Sequence, residues 1–245
     1  FKGHDYGNIR GNVSMQGKDL TADVSSDDPS LDADVTVWSD KYAYNGAVLV
    51  RKADLMAMNI DKRGVSEVGM NIYGHLDKDL GKLQGNARIS DIRLTNAEGL
   101  FEVPDIALDV ANANGLYDID LDSDVARGHF NGNGKNFEGW FESLATSSLL
   151  SFVMPGVYME QGSRAEMSID AEGMVCGSIS SGRIAYYNNF IKDLDARIYG
   201  CTSDIRADVS SSKIRIADFE MDRNLLKAGL ADSTVTLAYT FDNEG

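Results

Sequence analysis

This 245-residue chain is short of positive charge: 23 Lys and Arg stand against 38 Asp and Glu, for a formal net charge of −15. That balance argues against electrostatic binding of nucleic-acid phosphates or of an anionic membrane surface. No run of about 18 apolar residues is present, so no helical membrane span is encoded. Phe1-Lys2-Gly3-His4-Asp5 also lacks the basic-then-apolar order of a signal peptide. Because the chain opens and closes inside strand-like sequence, it is expected to be a piece of something longer, with its targeting segments elsewhere.

Cysteine and histidine are sparser still. The two cysteines, Cys176 and Cys201, each sit beside a glycine in a β-like stretch; a single disulfide and two half-buried thiols both fit, and the spacing matches no metal knuckle. His4, His75 and His129 lie in separate segments without metal-ligand spacing. There is no Gly-x-Ser-x-Gly elbow and no glycine-rich loop ending in Gly-Lys-Ser/Thr. Acids are so common that choosing two as a glycosidase pair would be arbitrary. The expectation is a protein that is not an enzyme and has no cofactor. The run Asp118-x-Asp120-x-Asp122-x-Asp124 opens like a calcium loop, but the sixth and twelfth positions are Ser123 and His129 where glycine and a bidentate acid are needed. On a strand its carboxylates would stand about 6.5 Å apart on a wet face, too far to close around one ion.

What the chain has is alternation, with 43% hydrophobic residues to sustain a folded core. Leu31, Ala33, Val35 and Val37 alternate with Asp32, Asp34, Thr36 and Trp38, and Tyr117, Ile119 and Leu121 with Asp118, Asp120 and Asp122. The same period of two runs through Ala165-Met167-Ile169, Leu194-Ala196-Ile198, Ile205-Ala207-Val209, Ile214-Ile216 and Val235-Leu237-Tyr239-Phe241. Each such strand has one dry and one wet face, which means antiparallel or edge-rich sheet. Short polar turns at Ser25–Pro29, Asn112–Gly115, Asn131–Gly134 and Tyr187–Asn189 make a long meander.

One motif recurs. Leu20–Ser26 (LTADVSS) returns as Ile205–Ser211 (IRADVSS) and, more loosely, as Ile119–Asp124; aligned on Val24, Leu121 and Val209, the copies are 97 and 88 residues apart. Phe101–Val110 likewise resembles Phe190–Ile198, each followed by a turn and the motif strand. Repeated half-buried strands need neighbours to complete a core, so the sequence predicts a continuous or stacked sheet whose function lies in an extended surface. One stretch departs from alternation: Phe137, Trp140, Phe141, Leu144, Leu149, Phe152 and Val153 fall near helical spacing before Pro155-Gly156. This predicts a helix over 137–155 that caps or plugs the sheet, between β segments 1–136 and 156–245 that are continuous with each other. A shorter helical turn is expected at Ala53–Met58.

Several phrases resemble the Bacteroidetes-type members of the TamB translocation and assembly module family, large AsmA-like envelope proteins. They are Leu83–Leu94 (LQGNARISDIRL), Ile106-x-Leu108, Tyr117-x-Ile119-x-Leu121-x-Ser123-Asp124-x-Ala126, Ser143-Leu144 through Phe152–Gly156, and Ser181–Tyr186 (SGRIAY). The resemblance implies an all-β fold, a long antiparallel sheet curled into a β-taco or half-pipe with an apolar interior. It also implies a periplasmic location in a protein anchored in the inner membrane, and a role in phospholipid transport between the membranes or in outer-membrane protein assembly. This chain lacks the family's anchor and C-terminal region and is expected to be an internal segment. Its partners would then be phospholipid acyl chains and outer-membrane assembly proteins.

The candidate groove lining is Val35, Val37, Ile106, Leu108, Ile119, Leu121, Leu194, Ile198, Ile205, Val209, Ile214, Ile216, Val235 and Leu237. A closed β-sandwich would use the same side chains as its core. The rival expectation is a surface or periplasmic β-repeat adhesin or carbohydrate-binding module, with Trp38, Trp140 and the tyrosines at 42, 44, 186, 187 and 239 as an aromatic platform. A third is a calcium-stiffened β-domain.

Overall fold

The structure, a computed structural model, describes residues 7–17, 19–62, 64–78, 82–145, 150, 154–201, 203–231 and 234–242. Regular structure there is strand apart from the helical residue Leu150; the strands are eighteen in number, hydrogen-bonded into a long antiparallel sheet that does not close into a barrel. The fold class expected from alternation therefore stands. Two compact units divide the chain around residues 115–124.

The first unit holds β1 (Ile9–Gln16), β2 (Asp19–Asp28), β3 (Leu31–Ser39), β4 (Ala43–Asp54), β5 (Ser66–Asp77), β6 (Lys82–Asn96), β7 (Gly99–Val103) and β8 (Ile106–Ala113). Each pairs antiparallel with the next up to β7, and β8 returns to pair with the first half of β6. Phe101–Val110, matched in sequence to the unbroken strand at Phe190–Ile198, is here split in two. Pro104 has no N–H to give a ladder, and the chain leaves the sheet at Pro104-Asp105 before re-entering as β8. Asn114 (φ 55°) and Gly115 (φ 81°) then turn the chain as the primed hairpin turn demands. The short helical turn expected near Ala53–Met58 is present as one turn: Asp54 caps it, accepting from Ala57 N–H on Oδ1 (2.9 Å) and from Met58 N–H on its carbonyl (3.0 Å).

Strand β9 (Leu116–Ser123) has residues in both units. The second unit continues with β10 (Ala126–Gly132), β11 (Phe137–Ser143), β12 (Val157–Met159), β13 (Arg164–Ile169), β14 (Met174–Tyr186), β15 (Asn189–Cys201), β16 (Asp204–Ile216), β17 (Phe219–Ala231) and β18 (Thr234–Asp242). The expected helix does not begin at Phe137. Residues 137–143 are a strand, paired with β10 and β13, in which Phe137, Gly139 and Phe141 share one face. Two large aromatics flanking a glycine satisfy period two as well as they fit helical spacing, and ladder pairing on both edges decides it. Residues 146–149 and 151–153, the rest of the expected helix, lie outside the described residues. Leu150, between those stretches, is helical, and Met154 N–H donates to its carbonyl at 2.8 Å.

Only twelve apolar residues are buried among those described, and seven of them, including Met58, Val68, Ile92 and Leu94, gather in the first unit near the bulged ends of β3 to β6. The accessible surface is 15358 Å², against about 10,700 Å² for a well-buried 26.6 kDa monomer. A single sheet layer leaves side chains on both faces partly in water. The repeat has a structural signature that sequence reasoning missed: the serine two positions after each aligned apolar residue, Ser26, Ser123 and Ser211, is buried (8%, 7% and 6% exposed). Ser143, Ser163 and Ser181 join them, their hydroxyls donating to nearby carbonyls, as Ser163 does to Glu160 at 2.6 Å.

Candidate functional site

Strand registers convert the alternation into continuous apolar rows. In the first unit Val24, Val35, Val48, Ile72, Ile89 and Ile106 stand directly opposite one another across six strands, and Ala22, Val37, Gly46, Gly74, Ala87 and Leu108 form the row beside them. In the second unit one row runs Phe141, Ala165, Ile179, Ala196, Val209, Leu226, Tyr239, and the next Gly139, Met167, Gly177, Ile198, Ala207, Ala228, Leu237. Ile169, Val175, Gly200, Ile205, Leu230 and Val235 make a third.

These rows are not a dry core. Phe141, Met167 and Ile179 are 43%, 44% and 48% exposed, and Leu237 is 70% exposed. Among the described residues every strand pairing is edge to edge within one sheet. In the second unit a cavity of about 570 Å³ opens on this face, lined chiefly by Phe130, Phe137, Phe141, Met167, Ile179, Ile198 and Val209, a volume in the range of small-ligand sites. Its depth depends on glycine: Met167 stands between Gly139 and Gly177, and a Cβ on Gly177 would come within 2.9 Å of Ile198. The opposite face carries Glu138, Arg164, Glu166, Ser178, Asp195 and Arg197 and is solvated. One side of the layer is oily and the other is wet.

The apolar face survives a break in the alternation. Asp193 (φ 48°) and Arg223 (φ 50°) lie in one register row with Gly182 and Ser212 and interrupt the pairing of β14 to β17. A left-handed residue inside a strand reverses which way the following side chains point. Beyond the row, Phe219 meets Phe241 (ring centroids 6.3 Å), and the Tyr239 hydroxyl, donating to Asn224 Oδ1 at 2.6 Å, lies 3.3 Å from Met221 Sδ. Ile214 and Ile216, which pair with Met221 and Phe219, therefore stay on the side of Tyr239 and Phe241.

The structure thus places Val35, Val37, Ile106 and Leu108 together on the first unit's apolar face, and Ile198, Ile205, Val209, Ile214, Ile216, Val235 and Leu237 together on the second's. Leu194, opposite Ser181, has the alternation of Ala196 and Ile198. Ile119 points away from the side on which Asp118 and Asp120 meet β10, and so shares the second unit's apolar face; Leu121 is a half-buried residue of β9 in the first unit. Phe130, Phe137, Phe141, Met167, Ile179, Val48, Ile72 and Ile89 also line these faces and were not among the candidates. Met167 and Ile179 were legible as alternation; Phe137 and Phe141 were hidden by the helical reading.

Other candidates are dispersed or rearranged. Trp38 pairs with Asn45 and packs near Tyr73 (6.2 Å), whereas Tyr44 is opposite Ser39 on the other face, so these two rings share no platform. The Trp140 ring is covered by the Arg164 guanidinium (4.8 Å) on the wet face. Cys176 and Cys201 are both free thiols; a hydrogen bond with the Ser203 hydroxyl, joined by backbone N–H groups, holds the Cys201 thiol below its usual pKa. Asp118 and Asp120 come closer than free-standing strand neighbours because His129 draws them in. Its Nδ1 is 2.8 Å from Asp120 and 3.9 Å from Asp118, and all three ligand atoms lie within 4.8 Å. Asn131 donates to the other Asp118 oxygen (3.2 Å), so internal hydrogen bonds account for the group. The nine-residue gap from Asp120 to His129 concealed this hairpin contact.

No protein-family model, curated protein or solved structure matches this chain.

Proposed function

We propose that this chain is an internal segment of a TamB-like envelope protein, and that it shields lipid acyl chains on its apolar face during phospholipid transport between membranes or outer-membrane protein assembly. The observation that carries the reading is the set of unbroken apolar rows, six or seven strands wide in each unit, left partly in water on one face while the other face is charged. Removing hydrocarbon from water contributes about 0.8 kcal/mol per methylene, so a lipid tail laid along such a row is held without any specific polar contact. Smooth apolar rows with no deep polar anchor suit passage better than storage. The charged opposite face keeps the layer dispersed in water. In this reading the apolar face is the concave side of a half-pipe, the location is the periplasm, and the inner-membrane anchor belongs to the full-length protein.

The experiment is native mass spectrometry of protein purified gently from the cell envelope. Co-purifying phospholipid, lost when apolar-row residues such as Ile179 and Ile198 are made polar, is the expected result. Lipid-free protein from envelopes that release lipid to a known carrier under the same conditions would overturn the reading.

A further inference from the structure

A cationic island sits on the wet face of the second unit, in a chain whose net charge is −15. Arg183, Lys192 and Lys213 are directly opposite one another on β14, β15 and β16. The next same-side positions place Phe190 opposite Arg215. The guanidiniums of Arg183 and Arg215 each lie 5.0 Å from the Phe190 ring centroid and the Lys192 ammonium 5.5 Å; this common contact puts all three on one side of the sheet. Phe190 is only 8% exposed, covered by these cations.

Three like charges in adjacent cross-strand positions oppose folding, and the carboxylates present answer only part of the set. Glu220 takes Lys213 (2.7 Å) and Arg215, and Asp222 lies 3.6 Å from Lys213. Among the described residues no carboxylate pairs with Arg183 or Lys192. Glu160, whose N–H donates to the Arg183 carbonyl and whose carboxylate lies beside Gly182, is the third acid nearby, so four cations against three carboxylates leave about one positive charge in excess, and it falls where Arg183 and Lys192 have no ion pair among the described residues. Arg183 supplies a planar fork and Lys192 a mobile point charge, side by side; that combination suits a tetrahedral oxyanion.

We propose that Arg183 and Lys192 form a binding site for a phosphate-type oxyanion, either free phosphate or the phosphodiester of a lipid headgroup, with Phe190 as the floor that fixes the Arg183 guanidinium. The site lies on the face opposite the apolar rows and stands independently of the lipid-shielding proposal.

The test is NMR titration of the full chain, following amides of Phe190 to Asp193, with inorganic phosphate in one arm and dihexanoylphosphatidylglycerol below its micelle concentration in the other. Sodium chloride at matched ionic strength is the reference. Saturable shifts with phosphate alone assign the site to free phosphate; stronger binding of the lipid assigns it to a headgroup. R183Q/K192Q is expected to weaken binding by tenfold or more, about what loss of charge-assisted hydrogen bonds causes, while remaining folded and melting no lower than the parent in phosphate-free buffer. Should the double variant not fold, K192Q alone, which leaves Arg183 on Phe190, carries the comparison. Shifts that merely follow ionic strength, or affinity unchanged in the variant, would overturn the proposal.

Discussion

Replacing Ile179 by aspartate is the sharpest single perturbation of the apolar face. Ile179 lies mid-row in the second unit, between Ala165 and Ala196, and is 48% exposed. Fully burying an isoleucine is worth about 1.5–3 kcal/mol, so covering its exposed half with hydrocarbon contributes about 1 kcal/mol. Aspartate forfeits that gain and must also be desolvated or neutralised beneath the tail, which costs about another 1–3 kcal/mol. Together these predict at least about a 30-fold loss of affinity, or 2 kcal/mol, for a zwitterionic short-chain phospholipid with a fluorescent acyl group. Because the side chain is already half in water, stability to urea should fall by only about 1 kcal/mol. Ser180→Asp is the control: it is the next residue, on the wet face opposite Arg164, and should bind the probe as the parent does. If Ile179→Asp and Ser180→Asp bind equally well, the two-faced account of the sheet is wrong.

Three further outcomes follow from local geometry. Gly132 has φ 145° and a Cβ there would overlap the Phe137 backbone, so Gly132→Ala should destabilise the β10–β11 hairpin by about 2–3 kcal/mol in urea unfolding. Ser66 is 2% exposed and its hydroxyl has no hydrogen-bond partner among the described residues, so Ser66→Ala should raise stability by about 1 kcal/mol; Ser163→Ala, which removes a bonded hydroxyl shared with Ser181 at 2.5 Å, should lower it by about as much. The Lys213 ammonium and then the Arg215 guanidinium hold the Glu220 carboxyl below its ordinary 4.5. A depressed folded-state pKa contributes stability that is present above 4.5 and lost as pH falls through the lowered value. Glu220→Gln should therefore be less stable than the parent at pH 7, and urea midpoints of the two should converge on acidification below pH 4.5.

The fold was legible because nearly every strand keeps one face apolar, so period two is written openly from Leu31 to Val37 and from Val235 to Phe241. Rows across strands were not legible, since register depends on turns and bulges: nothing in the sequence announces that Asp193 and Arg223 adopt positive φ and reverse the alternation beyond them. Ile214 and Ile216 were placed among the apolar candidates without knowledge of that reversal, on their own spacing alone. Phe137 to Phe141 satisfied two periods at once, and only pairing on both edges resolves it. The His129 cluster and the Arg183–Lys192–Lys213 row each join residues from different strands, contacts that local pattern does not encode.

The most direct measurement of the central claim is photo-crosslinking in living cells, with the reactive residue placed in the protein at Ile72 or Ile179 on the apolar rows and at Tyr73 or Ser180 one step along on the other face. The account predicts phospholipid adducts at the first pair and none at the second; adducts at neither, or at all four alike, would contradict it.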